Sequence, residues 1–281
     1  MPLNGACGMK LLHLRRPTAI VAALVCLTCR PYVFASNEPT LTNQQIEHFL
    51  LTAKVVKSRY AKKGVTDTFR LTLSDGTVTH DASFQSINEH DAVKQFASGM
   101  QVNFVDSYKY NIAAYKLAEL LGLDDMLPVY VERKWNGHTG SLSWWLPAKM
   151  DEAERSKKGL SAPDTAAWNN QMYKIRVFDQ LVADYDINLT NVLIGEDWKL
   201  WRIDFSRAFR WNKELRAPKD LVRCDRQLFE KLKELDANTL TEATKHYLNK
   251  AEVKAVMARR DKIVALFQQK IAEQGENAVL Y

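Results

Sequence analysis

Cysteine is scarce in this chain: 4 residues in 281, of which Cys7, Cys26 and Cys29 fall close to the start. Cys224 then stands alone in the remainder, which excludes an internal disulfide framework and a cysteine-based zinc site. His48, His80, His90, His138 and His246 show no metal-ligand spacing. Also lacking are a Gly-x-Ser-x-Gly elbow and a Gly-x-x-x-x-Gly-Lys loop, so elbow hydrolases and P-loop chemistry have no support. With only 11 glycines and 8 prolines, collagen and low-complexity chains are excluded. A content of 46% hydrophobic and 26% charged residues is ordinary for a globular protein with a sizeable core.

The net charge of +6 raises the question of a nucleic-acid partner. Residues 1–35 hold Lys10, Arg15, Arg16 and Arg30 and no acid, which leaves 35 basic against 33 acidic residues beyond them. That balance is no footprint for a phosphate polymer, so no nucleic-acid partner is expected. The same segment reads as an export signal: a basic stretch, the apolar run Ala19 to Leu27, then Val33-Phe34-Ala35 with cleavage after Ala35. Met9 is an alternative start, and an uncleaved anchor is the alternative fate. The run is short of the ~20 apolar residues that span a bilayer core of ~30 Å. After cleavage no transmembrane span remains, and the mature chain is expected to be periplasmic, secreted or in a secretory lumen.

Three strands are predicted at Val55–Tyr60, Phe69–Leu73 and Val78–Ser86, with turns at Lys62-Lys63-Gly64 and Ser74-Asp75-Gly76. A helix over about Ser107–Leu121 stops at Gly122. Asn136-Gly137 then turns a hairpin between Pro128–Val131 and Ser141–Leu146. Asp151–Lys158 reads as a charged connection. Asp164 caps a helix carrying Trp168, Met172, Ile175, Phe178 and Val182, and from Leu228 the chain is helical, with Asn249 and Glu252 as a capping box. The seven tryptophans read as packing residues rather than a stacking surface. The expected organisation is α+β: signal peptide 1–35, a β-rich N-terminal lobe 36–150, and a mostly helical C-terminal lobe 151–281, with a cleft between the lobes.

Residues 178–204 read helix, polar loop, strand, turn, strand, acid. If the strands flanking Gly195-Glu196-Asp197 pair, Asn191 comes beside Asp204 at one end of the hairpin. Asp186 lies in the loop leading to that end. Two carboxylates and an amide oxygen suit Mg²⁺ (or Mn²⁺), a hard cation that keeps positions for water and phosphate. Phosphoryl transfer uses such a cation beside a carboxylate that orients or deprotonates the attacking hydroxyl.

The pattern Asp-x-x-x-x-Asn, hairpin, Ile-Asp-Phe-Ser-Arg-Ala-Phe resembles the catalytic loop and metal-binding segment of the protein-kinase-like superfamily. Asp-x-Asn-x-x-Asn with Ile-Asp-x-x-x-Ala-Phe is closer to its divergent branch of phosphatidylinositol kinases, HipA-type kinases and secretory-pathway kinases of casein and proteoglycan xylose. Residues 112–123, Pro128-Val129 and Gly140-Ser141-Leu142-Ser143 resemble that branch's N-lobe helix, following strand and hinge approach. The resemblance runs from about Val55 to Phe209 and implies a two-lobed protein-kinase-like fold that binds ATP and Mg²⁺. It implies Asp186 as the catalytic carboxylate, Asn191 and Asp204 as metal ligands, Asp179 as a brace of the loop, and Arg207 as a contact to phosphate or to a structural carboxylate.

The chain departs from that pattern where active members pair a strand lysine with a helix glutamate. Gln85 stands at the lysine position and Asn111 at the glutamate position, two neutral amides able to hydrogen-bond each other. Lys62 or Lys63 is then expected to supply a cation to the nucleotide, and Ile187 replaces the branch's usual arginine. The leading expectation is phosphoryl transfer from ATP to a hydroxyl of a protein, sugar (glycan) or small acceptor. Nucleotidyl transfer from the same fold, and a pseudokinase-like binding or scaffold module, remain open.

Overall fold

The computed structural model describes residues 41–61, 68–96, 99–184 and 188–281. The expected leader, Lys62, Lys63, Asp186 and Ile187 lie outside the described residues. No helix among those described is long and apolar enough to cross a membrane.

The predicted meander forms as β1 (Lys54–Tyr60), β2 (Thr68–Ser74) and β3 (Thr79–Gln85). Leu71 and Leu73 of β2, and Ala82 and Phe84 of β3, alternate into the core. The predicted Asn136-Gly137 hairpin, β6 (Tyr130–Trp135) and β7 (His138–Trp144), adds to β3, for a sheet order β1-β2-β3-β7-β6. Asn136 and Gly137 take φ of 48° and 81°, the left-handed pair that a two-residue hairpin turn requires. α1 (Asn43–Thr52) starts on a Thr42–Gln45 capping box that the expectations missed. Arg133 on β6 holds it by donating to the Leu50 and Ala53 carbonyls.

A further hairpin was not foreseen: β4 (Asn88–Phe96) and β5 (Gly99–Ser107) pair from Asn88↔Ser107 to Phe96↔Gly99. Most of its residues are exposed; Met100, Val102 and Phe104 alternate with polar residues in β5, but β4 has no such period. It leads into α2 (Tyr108–Leu121), capped by the Ser107 hydroxyl and closed by Gly122 at φ 68°. α2 is buried on nearly every face, with Asn111, Ile112, Ala113, Ala114, Tyr115, Leu117 and Ala118 all inside.

The helical region begins after β8 (Met150–Asp151), which joins β9 (Val192–Ile194) and β10 (Leu200–Arg202) in the order β10-β9-β8. The expected charged connection at Asp151–Lys158 is instead helical, as α3 (Glu152–Lys157). Asp151 caps it, and Glu152–Arg155 and Glu154–Lys158 ion pairs support it without any apolar period. α4 (Thr165–Val182) starts at the Asp164 cap as predicted. α5 (Arg226–Glu234), α6 (Ala237–Thr244) and α7 (Lys250–Gln274) follow, the last on the Asn249–Glu252 capping box. Cys224 is a buried free thiol in a short bridge to Leu280.

Most tryptophans pack: Trp135 meets Phe69 and Phe84 edge-on, Trp144 meets Phe49, and Trp168 meets Trp198. Trp211 departs from that expectation at 59% exposed.

Gly140 on β7 has close neighbours. A Cβ there would overlap the Gln85 carbonyl oxygen and come 2.8 Å from the Phe84 ring. Gly140→Ala is therefore expected to lower stability by about 1–3 kcal/mol through overpacking. Chemical denaturation reads this directly, and an unchanged midpoint would contradict the close approach of β7 to β3.

Candidate active site

The β9–β10 turn closes through Gly195 N–H to the Lys199 carbonyl (2.9 Å), and the strands pair from Leu200↔Ile194 to Arg202↔Val192. One step further, Ile203 N–H donates to the Asn191 carbonyl at 3.0 Å. Asn191 is thus opposite Ile203 and next in register to Asp204, the arrangement predicted from the hairpin. Both residues offer oxygen donors, an amide and a carboxylate, which fits a hard divalent cation. Among the described residues no group of three His, Cys, Asp or Glu side chains gathers as a metal site.

Asp204 has φ of 60°, a left-handed conformation uncommon outside glycine and best tolerated by Asp and Asn. Two contacts over-determine it. Its own N–H points to the Tyr130 hydroxyl at 3.5 Å, and the next N–H, of Phe205, donates to Asn111 Oδ1 at 2.6 Å. Burial pushes the Tyr130 phenol pKa up and the Asp204 charge adds to it, so the hydroxyl keeps its proton. The Phe205 ring is fully buried and edge-on to Phe178 of α4.

Asn111 also donates from Nδ2 to Gln85 Oε1 at 2.7 Å and reaches Ser141 Oγ at 3.5 Å. The neutral pair expected from the sequence therefore forms. The structure gives the asparagine a further role: its one amide joins β3, α2 and the Asp204 segment.

Behind the hairpin, Arg202 is 1% exposed. Its Nε donates to Asp179 Oδ1 at 3.1 Å, and its two terminal nitrogens donate to Asp184 and to the Ile203 carbonyl. Burial works against the guanidinium charge, but Asp179 and Asp184 outweigh it and raise its pKa. Two buried carboxylates share this one cation, and burial pushes Asp179 above the usual carboxylate range. Among the described residues, Asp179 braces the end of β10 through Arg202. Sequence reasoning missed Arg202 and Asp184, although a lone charge inside the short apolar strand Leu200-Trp201-Arg202 signals a buried partner.

Arg207 contacts the β4–β5 hairpin: it donates to Gln101 Oε1 at 3.2 Å, and its guanidinium lies 5.0 Å and 5.3 Å from the centroids of Phe104 and Phe96. Arg210 ties the same hairpin by donating to the Asn103 and Val105 carbonyls at 2.9 Å and 3.1 Å. Gln85, Asn111, Asn191 and Asp204 are thus placed around the end of one hairpin, while Asp186, Lys62 and Lys63 are outside the described residues.

Arg202→Met leaves two buried acids without their cation, and an expected loss of about 3–5 kcal/mol follows from breaking a buried ion pair on one side. Urea unfolding measures it. A change under about 1 kcal/mol would mean that Arg202 is no more than a surface-type pair.

No protein-family model and no curated protein matches this sequence. Solved structures do. Hydra Fam20, determined with sugar, aligns at a TM-score of 0.59 and 14% identity over 85% of this chain and 91% of that one. The Helicobacter pylori proinflammatory kinase CtkA aligns at 0.50 and 8% identity over 80% of this chain and 98% of its own. The β-sheet N-terminal region, the helical C-terminal region and these alignments together show a divergent protein-kinase-like fold.

Proposed function

We propose that this chain is an exported, atypical kinase-like phosphotransferase, moving the γ-phosphoryl group of ATP to a hydroxyl of a protein, glycan or small acceptor. The observation that carries the proposal is Asp204, fixed in a left-handed conformation beside Asn191 by a neighbouring N–H bound to Asn111. Strain of this kind gathers at functional positions. Asn191 and Asp204 would hold the Mg²⁺, whose part is to neutralise charge on the nucleotide phosphates. Asp186, which the motif spacing assigns as the catalytic carboxylate, orients the acceptor hydroxyl and takes its proton. The new phosphorus–oxygen bond forms as the bond to the ADP oxygen breaks. Lys62 and Lys63, in the β1–β2 connection, are the nearest cations in sequence to replace the lysine that Gln85 displaces. The leader pattern supports export.

The bonded pair Gln85–Asn111 favours a second reading, a binding module without transfer, because a neutral amide stands on β3 where a charge would meet a phosphate. Thermal unfolding of the full chain with ATP, with and without Mg²⁺, separates the two. The phosphotransferase reading predicts Mg²⁺-dependent stabilisation of about 2.7 kcal/mol at a hundred times Kd, its loss in Asp204→Ala, and label transfer from γ-labelled ATP. The product mass distinguishes phosphoryl from nucleotidyl transfer. No stabilisation with Mg²⁺-ATP, and an Asp204→Ala variant indistinguishable from the parent, would end the enzymatic reading. In that case a gain of nucleotide binding in the Gln85→Lys, Asn111→Glu double variant would identify a degenerate nucleotide site.

A further inference from the structure

The five-stranded sheet has two unlike faces. On one, Leu71, Ala82, Phe84, Val131 and Leu142 are buried, and α1 packs on that side through Phe49 against Trp144 and through the carbonyls that Arg133 holds. The other face is polar and meets α2 and the Asp204 segment: Gln85 bonds to Asn111, Glu132 accepts from the Tyr108 hydroxyl at 3.2 Å, and the Tyr130 hydroxyl meets the Asp204 N–H. Strand pairing fixes what else this face carries. Tyr130 pairs with Ser143, Ser143 with Ser83, Ser83 with Arg70, and Arg70 with Arg59. Directly paired residues share a face, so one cross-strand row runs from Tyr130, beside Asp204, to two arginines. Lys57, paired with Thr72, lies on the same face.

Arg70 is held in a set position. Its Nε donates to Asp81 Oδ2 at 2.5 Å, the Thr72 hydroxyl donates to the other carboxylate oxygen at 2.6 Å, and the guanidinium lies 4.0 Å from the centroid of the Trp145 ring. The Arg70 and Asp81 side chains are 29% and 21% exposed, which leaves the pair open to a ligand. Asp81 is the one acid on β1, β2 and β3, so Lys57, Arg59 and Arg70 leave this part of the face with surplus positive charge. Arg59 is exposed, and its charge helps to hold the Asp81 carboxyl below the usual range. By strand pairing, Arg70 is one strand over and two residues along from Gln85. Ordinary sheet spacing puts their Cα atoms roughly 8 Å apart.

We propose that Arg70 and Arg59 form a phosphate-binding pair, so that β2 and β1 supply the positive charge that Gln85 leaves absent from β3. The inference deepens the phosphotransferase reading and rests on it for the natural ligand, the phosphate groups of the nucleotide. Guanidinium suits the task, because its planar fork matches phosphate oxygens and it stays charged at every working pH. The Asp81 bond and the Trp145 stack fix the plane of Arg70 in advance, which lowers the ordering cost of binding.

Calorimetric titration of the full chain with Mg²⁺-ATP and, separately, with metal-free tripolyphosphate tests the assignment. The parent should bind both, and tripolyphosphate more weakly as salt rises. Arg59→Gln and Arg70→Gln should each weaken both ligands at least tenfold, while Lys233→Gln on α5 should change neither. Should Arg70→Gln not fold, Arg59→Gln at its exposed position and Arg70→Lys, which keeps the charge and loses the fork, carry the comparison. Parent-like binding of both ligands by folded Arg59 and Arg70 variants overturns the pair. If only Lys62→Gln or Lys63→Gln weakens Mg²⁺-ATP, the pair falls while the phosphotransferase reading stands. Tripolyphosphate binding that depends on both arginines, without any Mg²⁺-ATP effect, supports the pair and removes the nucleotide reading. Binding of neither ligand by the parent overturns both.

Discussion

A single buried amide, that of Asn111, ties together β3, α2 and the segment around Asp204. Its oxygen accepts the Phe205 N–H at 2.6 Å and its nitrogen donates to Gln85 at 2.7 Å, at a position 1% exposed. Both ends of the amide are therefore used, as a buried polar side chain requires. A lysine–glutamate pair at these positions would carry two charges into the interior and a desolvation cost with them. The amide pair avoids that cost and is insensitive to salt. The result is a neutral fastening between β3, α2 and the segment around Asp204.

That fastening works with the buried charge of Arg202. The guanidinium holds Asp179 of α4, Asp184 beyond it and the Ile203 carbonyl, so the end of β10 is fixed from behind while Asn111 fixes the residue after Asp204 in front. Asp204 lies between the two anchors, with φ of 60°. A short hairpin of three-residue strands is a weak element by itself. Its precision comes from these side-chain contacts and from the close packing of Phe205 on Phe178. The β4–β5 hairpin adds a third attachment through Ser107 and Arg210, which bond to the Ser206 carbonyl and to the Asn103 and Val105 carbonyls respectively.

Much of this was legible in the sequence because it rests on local rules. Gly122, Asn136-Gly137, Asp164 and the Asn249–Glu252 box each mark an element end by backbone chemistry, and all do so in the structure. The Gln85–Asn111 bond followed from two amides replacing two charges at once. The β4–β5 hairpin was passed over although Met100, Val102 and Phe104 alternate with polar residues in β5, because β4 carries no such period and both strands are mostly exposed. α3 was hidden for a similar reason: capping and ion pairs, not an apolar stripe, sustain it. Arg202 was overlooked because a metal-ligand pattern is written in acids and amides such as Asn191 and Asp204. The cation that organises two neighbouring acids sits instead in a strand otherwise made of Leu and Trp.

The central claim is that Asn111 holds the Asp204 segment in place without charge. Native-state hydrogen exchange at the Phe205 amide tests this most directly, because a buried N–H bonded to a core side chain exchanges only when that contact opens. The account predicts protection of the Phe205 amide approaching that of core amides in α2, and a large loss of protection at that amide in Asn111→Ala while α2 remains protected. Rapid exchange of the Phe205 amide in the parent protein, or equal protection in both proteins, would contradict it.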